Sequence, residues 1–113
     1  MNATPIDQLE FRGSIGNRPF WAITMNEFIN ALKRNGWRED HNAHIYQRLV
    51  QLGQEFGIST PNDFANALRD GYTQPAGGGA SSRVCRGGAC WVVFKGREFI
   101  TIRYPAEQKK GPS

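Results

Sequence analysis

Arg83-Val84-Cys85-Arg86-Gly87-Gly88-Ala89-Cys90-Trp91-Val92-Val93-Phe94-Lys95-Gly96-Arg97-Glu98-Phe99-Ile100-Thr101-Ile102-Arg103-Tyr104 is the stretch on which the fold of this chain turns. β-Branched and aromatic residues recur here with a period near two, which predicts strands over Val84–Arg86, Ala89–Phe94 and Arg97–Tyr104. Gly87-Gly88 supplies the positive φ angles of a two-residue hairpin turn, and Lys95-Gly96 reads as a second turn. Counting outward pairs Cys85 with Cys90, Val84 with Trp91, Val92 with Phe99, Trp91 with Ile100 and Cys90 with Thr101. Alternation then gives Val84, Trp91, Val93, Ile100 and Ile102 to the core. Arg83, Cys85, Cys90, Val92, Phe94, Phe99, Thr101 and Arg103 fall on the opposite face. That mixture of arginine, hydroxyl and aromatic groups suits a phosphate backbone with stacked bases.

Upstream of this stretch the apolar period is helical. Thr24-Met25-Asn26-Glu27 is a capping-box pattern, and Phe28, Ala31 and Leu32 follow at helical spacing up to Gly36, so a helix is expected over 25–35. Asp40 reads as the cap of a second helix over 41–56, with Ile45, Leu49, Leu52 and Phe56 as its buried stripe and Gly57 as its stop. Thr60-Pro61-Asn62-Asp63 opens a third, ending near Arg69, with Phe64 and Leu68 buried. Residues 74–82, with Gly77 to Gly79, read as a flexible connection. Helices first and an antiparallel meander afterwards make an α+β fold, N-terminal helices packed on the C-terminal sheet. One domain is expected over 18–105, its helical part at about 24–71 and its meander at 83–104. Residues 1–17 read as an irregular leader and 106–113 as a basic tail.

The 113 residues carry 14 Lys+Arg against 10 Asp+Glu, a net +4. From Arg83 to Lys110 there are seven cations against Glu98 and Glu107, whereas the first 82 residues hold seven cations and eight acids. The basic C-terminal third favours a positive face for a polyanion over a general solubility charge, although a solvated strand face with a basic tail has the same composition. No apolar run reaches the ~20 residues of a bilayer span. The start lacks a basic and a greasy region, so no signal peptide is expected. Two cysteines exclude a disulfide-rich scaffold. They read as a hairpin disulfide or as buried free thiols and, behind these, with His41 and His44, as half of a zinc site. Trp21, Trp37 and Trp91 read as core or lid.

On the second helix His41, His44, Arg48 and Gln51 form a polar stripe beside the apolar one. Imidazole exchanges a proton near neutral pH, and guanidinium holds a phosphate while charge builds on it. With a strand hydroxyl such as Thr101 these are the parts for RNA strand cleavage by the internal 2′-OH. His44 alone also reads as plain surface, His41 as the start of the helix, and Thr101 as a good strand former.

Three further pieces complete a pattern: Leu32-Lys33-Arg34-Asn35-Gly36-Trp37, then His44-Ile45-Tyr46-Gln47-Arg48-Leu49 with Phe56-Gly57-Ile58, then Phe99-Ile100-Thr101-Ile102-Arg103-Tyr104-Pro105. Over roughly residues 25–105 the order resembles the barnase–EndoU–colicin–RelE (BECR) superfamily of RNase toxins, most of all the C-terminal toxin domains of contact-dependent inhibition and other polymorphic toxin systems. The resemblance implies a metal-independent endoribonuclease that needs no cofactor, cleaves RNA such as tRNA, and uses His44 as acid/base, Thr101 at the scissile phosphate and Arg48 as a clamp. Arg83, Arg86, Lys95, Arg103 and His41 are then candidates for phosphate or RNA binding. It further implies delivery from a larger secreted or cell-surface effector into a target-cell cytoplasm, an acidic immunity protein as partner, and room for a host activating factor. Asn42-Ala43 stands where many relatives have Gly-Leu, and the Cys85/Cys90 pair lies outside the family pattern. The alternatives are a non-catalytic nucleic-acid-binding module and a zinc-stabilised interaction domain.

Overall fold

A computed structural model describes residues 4–40 and 44–104 of the chain. The expected tail, the C-terminal Pro105 and position His41 lie outside the described residues. The helices are α1 (Met25–Arg34), α2 (Ile45–Phe56) and α3 (Pro61–Arg69). The strands are β1 (Arg38–Glu39), β2 (Tyr72–Gly77), β3 (Ala80–Val84), β4 (Trp91–Lys95) and β5 (Glu98–Arg103). They form one sheet in the order β1-β5-β4-β3-β2, antiparallel except for β1 beside β5. The class is α+β, as the order of the elements led one to expect.

The local signals act as they should. The Thr24 hydroxyl accepts from the Glu27 amide while the Glu27 carboxylate accepts from the Thr24 amide, and Thr60 with Asp63 repeats the arrangement at α3. Each box satisfies two amides that would otherwise lack partners at a helix start. Gly36, at φ +81°, ends α1 in the left-handed region. Phe28, Leu32, Ile45, Leu49, Leu52, Phe64 and Leu68 are fully buried.

Four expectations are corrected. Residues 74–82 are not a flexible connection: β2 and β3 pair there as a hairpin, with the positive-φ Gly77 to Gly79 at its tip. Helix α2 begins at Ile45, so His44 is its N-cap residue and not a flank of a helix capped by Asp40. The leader is not separate from the domain, because Ile6, Leu9, Phe11 and Ile15 belong to the one hydrophobic cluster. The fourth correction concerns the sheet. Val84 does face Trp91, but the second turn sits one residue later, pairing Lys95 with Glu98 and Phe94 with Phe99. A bulge at Ile100 then pairs Val93 with Thr101, Val92 with Ile102 and Trp91 with Arg103. One extra residue reverses the alternation beyond it.

For β3, β4 and Phe99 the two faces are exchanged, and the bulge then keeps Ile102 in the core and Thr101 and Arg103 on the open face, where they were expected. Cys85, Cys90, Val92, Phe99 and Ile102 join the helical cluster, with Phe94 partly buried against it. Trp37 stacks on Phe99 at 4.8 Å and meets Phe94 edge-on at 5.5 Å, closing the core at the β1 side. Trp91, Thr101 and Arg103 lie on the other face. Gly71, at the turn from α3 into β2, has no room for a side chain: a Cβ there would come within 1.7 Å of the Val84 carbonyl oxygen.

Candidate functional site

Strand β1 covers β5 only at Glu98 and Phe99, leaving the rest of that edge to α2. The Asp40 amide donates to the Phe99 carbonyl at 2.9 Å. Beyond the Ile100 bulge the Ile102 carbonyl turns to the same side and accepts from Arg48 Nη1. The Thr101 hydroxyl reaches that same oxygen, at 3.4 Å. Two of the expected site residues, 53 positions apart in the chain, thus have their polar groups directed at one atom.

Arg48 is set on this rim from both sides. Its guanidinium lies over the Tyr104 ring, 5.6 Å from the centroid, and the Tyr104 hydroxyl donates to the Arg48 carbonyl. That hydroxyl also lies 3.5 Å from Gln51 Oε1, one turn along the helix. His44 stands at the head of the same helix: its carbonyl accepts the first helical bond, from the Arg48 amide at 3.0 Å, and its side chain is exposed.

No motif or period in the chain singles out Glu39. Its carboxyl lies near the start of α2, within reach of the Ile45 amide and of His44. Burial pushes the Glu39 carboxyl up from its ordinary range, and Ile45 and His44 pull it part of the way back. Glu39 Oε2 is buried without a hydrogen-bond partner among the described residues. A two-residue strand carries no periodicity, so only the backbone pairing to β5 reveals this carboxylate beside the imidazole.

The basic residues divide. Arg103 and Lys95 are exposed on the open face with Thr101, and Arg103 stands opposite Trp91. Tyr72, more than half exposed, lies on the far side of Val84 in the same cross-strand row. Arg83 was expected on that face and is instead turned inward. It is buried; its Nε donates to the Leu68 carbonyl at 2.7 Å, Nη2 to the Arg69 carbonyl at 3.1 Å and Nη1 to Thr73 Oγ1 at 3.0 Å. It therefore ties down the C-terminal carbonyls of α3, a structural task that favours a cation. Arg86 sits on the β3–β4 loop in an exposed ion pair with Asp70, at 3.1 Å. The length of β4 separates it from Lys95, about 13 Å at ~3.3 Å per residue.

Cys85 and Cys90 are joined in a disulfide across that loop, with Cα atoms 5.2 Å apart. The Cys85 amide donates to the Cys90 carbonyl at 2.8 Å, so the pair occupies a hydrogen-bonded position of the hairpin. Joined sulfurs offer no thiolate to a metal, which removes the zinc reading of this pair. Two cavities, of about 530 and 440 Å3, flank the leader at Glu10 to Arg12 and include no residue of α2 or β5.

Among the described residues no helix is long and apolar enough to cross a membrane. No family model matches the chain, and neither does any curated protein or solved structure. What the structure itself assigns to the chain is an α+β architecture on a mixed five-stranded sheet, with Arg48 and Thr101 sharing an acceptor where α2 meets β5.

Proposed function

We propose that this chain is a metal-independent endoribonuclease domain that cleaves RNA by transesterification through its 2′-OH. The observation that carries the reading is the convergence of Arg48 Nη1 and the Thr101 hydroxyl on the Ile102 carbonyl, beneath a helix headed by His44. In this reading the imidazole, with Glu39 beside it, takes the 2′-OH proton and returns one to the leaving 5′-oxygen. Arg48 brings positive charge to the crowded phosphorane. Thr101 exchanges its long bond to Ile102 for a phosphate oxygen. The nucleophile is part of the substrate, so RNA is cut and DNA, lacking that hydroxyl, is not. The narrower expectations belong to the same proposal: tRNA as substrate, delivery into a target cell as a toxin, an acidic immunity partner and a host activating factor.

Total RNA incubated with the protein in EDTA provides the test. Fragments ending in 2′,3′-cyclic phosphate are expected, and His44→Ala should slow their appearance by ~10³-fold, the usual worth of a general acid/base. RNA left intact by the wild type, or cut equally fast by the variant, overturns the reading.

The open face favours a second reading, a binding module without catalysis. Arg103, Trp91 and Tyr72 lie along one cross-strand row there, a stacking and charge platform that needs no imidazole. Binding that weakens with Arg103→Gln and ignores His44→Ala, in a protein that cuts nothing, would decide for it.

A further inference from the structure

At the opposite end of β5 the chain builds a second basic recess. Lys33, Gly36, Trp37, Arg38 and Arg97 line a cavity of about 310 Å3 that holds three cations and no carboxylate in its wall. Its frame is held by backbone. The left-handed Gly36 reverses the chain after α1, its amide donating to the Lys33 carbonyl at 2.9 Å. Buried Trp37 anchors the floor on Phe99, and the Arg38 amide donates to the Arg97 carbonyl at 2.9 Å. Three cations from α1, β1 and the β4–β5 turn are thereby gathered although they lie up to 64 positions apart. Arg38 is held in place by Glu98, at 2.7 Å on the sheet surface. A cation in the last turn of a helix suits the helix dipole and would account for Lys33 alone.

Thr101 lies four positions from Arg97 along β5, so the recess and the rim are separated by roughly 13 Å of strand. Resting on the endoribonuclease reading, we propose that the Lys33–Arg38–Arg97 recess is a phosphodiester subsite that holds single-stranded RNA a few nucleotides away from the bond being cut. Cations without an adjacent base-reading group would grip the backbone whatever its sequence, and would supply affinity more than chemistry.

The probe is a fluorescent 12-residue 2′-O-methyl-uridine oligomer, which binds and cannot be cleaved. Its affinity is measured across salt concentrations for wild type, Lys33→Gln/Arg97→Gln and the control Arg12→Gln/Arg69→Gln, which removes equal charge at a separate cavity. The first double variant should bind at least ~5-fold more weakly, with a log–log salt slope shallower by about 1.4, two contacts at ~0.7 each. The control should match wild type, and cleavage of a UpA dinucleotide, too short to reach the recess, should be the same in all three. Unchanged binding in Lys33→Gln/Arg97→Gln, equal losses in both double variants, or a poly-glutamate peptide competing as well as RNA would each overturn the subsite. Selective loss of oligomer binding in a protein that cleaves no RNA would uphold the subsite while the nuclease reading falls.

Discussion

Arg83 and Arg48 both bridge a helix and the sheet, and their surroundings part them. At the α3–β3 junction Arg83 is buried with its donors on two helix carbonyls and a threonine hydroxyl. At the α2–β5 rim Arg48 is half-buried, bonded to one strand carbonyl and laid on an aromatic ring. The same side chain serves as a rivet in one place and stands at an accessible rim in the other. Residue type is the same at the two; what differs is how deeply the fold buries each guanidinium and how much water reaches it.

Replacing both arginines is the sharpest way to break the comparison. Arg83→Met strands the α3 carbonyls and should cost about 3 kcal/mol in urea unfolding. Arg48→Met should cost about 1 kcal/mol, while its effect on RNA cleavage should exceed that of Arg83→Met measured at equal folded fraction. Equal stability losses would mean that Arg48 is a rivet as well.

The disulfide tests how far the β3–β4 end is fastened independently of Arg83. Cys85→Ser/Cys90→Ser frees a six-residue loop, and the chain-entropy relation puts the loss at about 2 kcal/mol. The loss should add to that of Arg83→Met if the two fastenings act separately. A double-mutant cycle showing strong coupling would join them into one unit.

Glu39 gives the smallest and most specific effect. Its carboxyl is raised in the folded protein, so folding is favoured while it is protonated, and this advantage is lost as the pH rises from the ordinary glutamate range through the raised value. Glu39→Gln should therefore gain in Tm relative to wild type between pH 4 and pH 7. Glu27 behaves in the opposite sense. The Thr24 amide and the Arg18 ion pair hold its carboxyl down at about 2, so its contribution is present at neutral pH and is lost as the pH falls from the ordinary range toward that value. A difference between Glu39→Gln and wild type that does not vary with pH would remove the account of its burial.

Legibility followed the range of the interaction. Thr24 with Glu27 and Thr60 with Asp63 are three residues apart, so both helix starts could be read from the sequence. The Val84–Trp91 pairing was readable for the same reason, since Gly87 and Gly88 set it locally. The sheet faces were not. Their assignment depends on Arg83 being able to enter the core, which becomes affordable only when α3 brings its carbonyls there, and on a bulge at Ile100 that resets β5 beyond it. In the candidate site, His44 and Arg48 belong to one helix and could be picked out together. Glu39 and the Lys33–Arg38–Arg97 recess could not, because a two-residue parallel strand and a tight turn leave no periodic trace.

The chain alone determined the starts of α1 and α3, the β3–β4 hairpin and the α+β class, because caps, turns and apolar periods act between near neighbours. The tertiary structure alone decided which face of the sheet meets the helices, which arginines are consumed by backbone acceptors, and that the Thr101 hydroxyl shares an acceptor with Arg48. Those outcomes depend on which distant groups come within a few ångströms of one another, and that is settled only when the whole chain has packed.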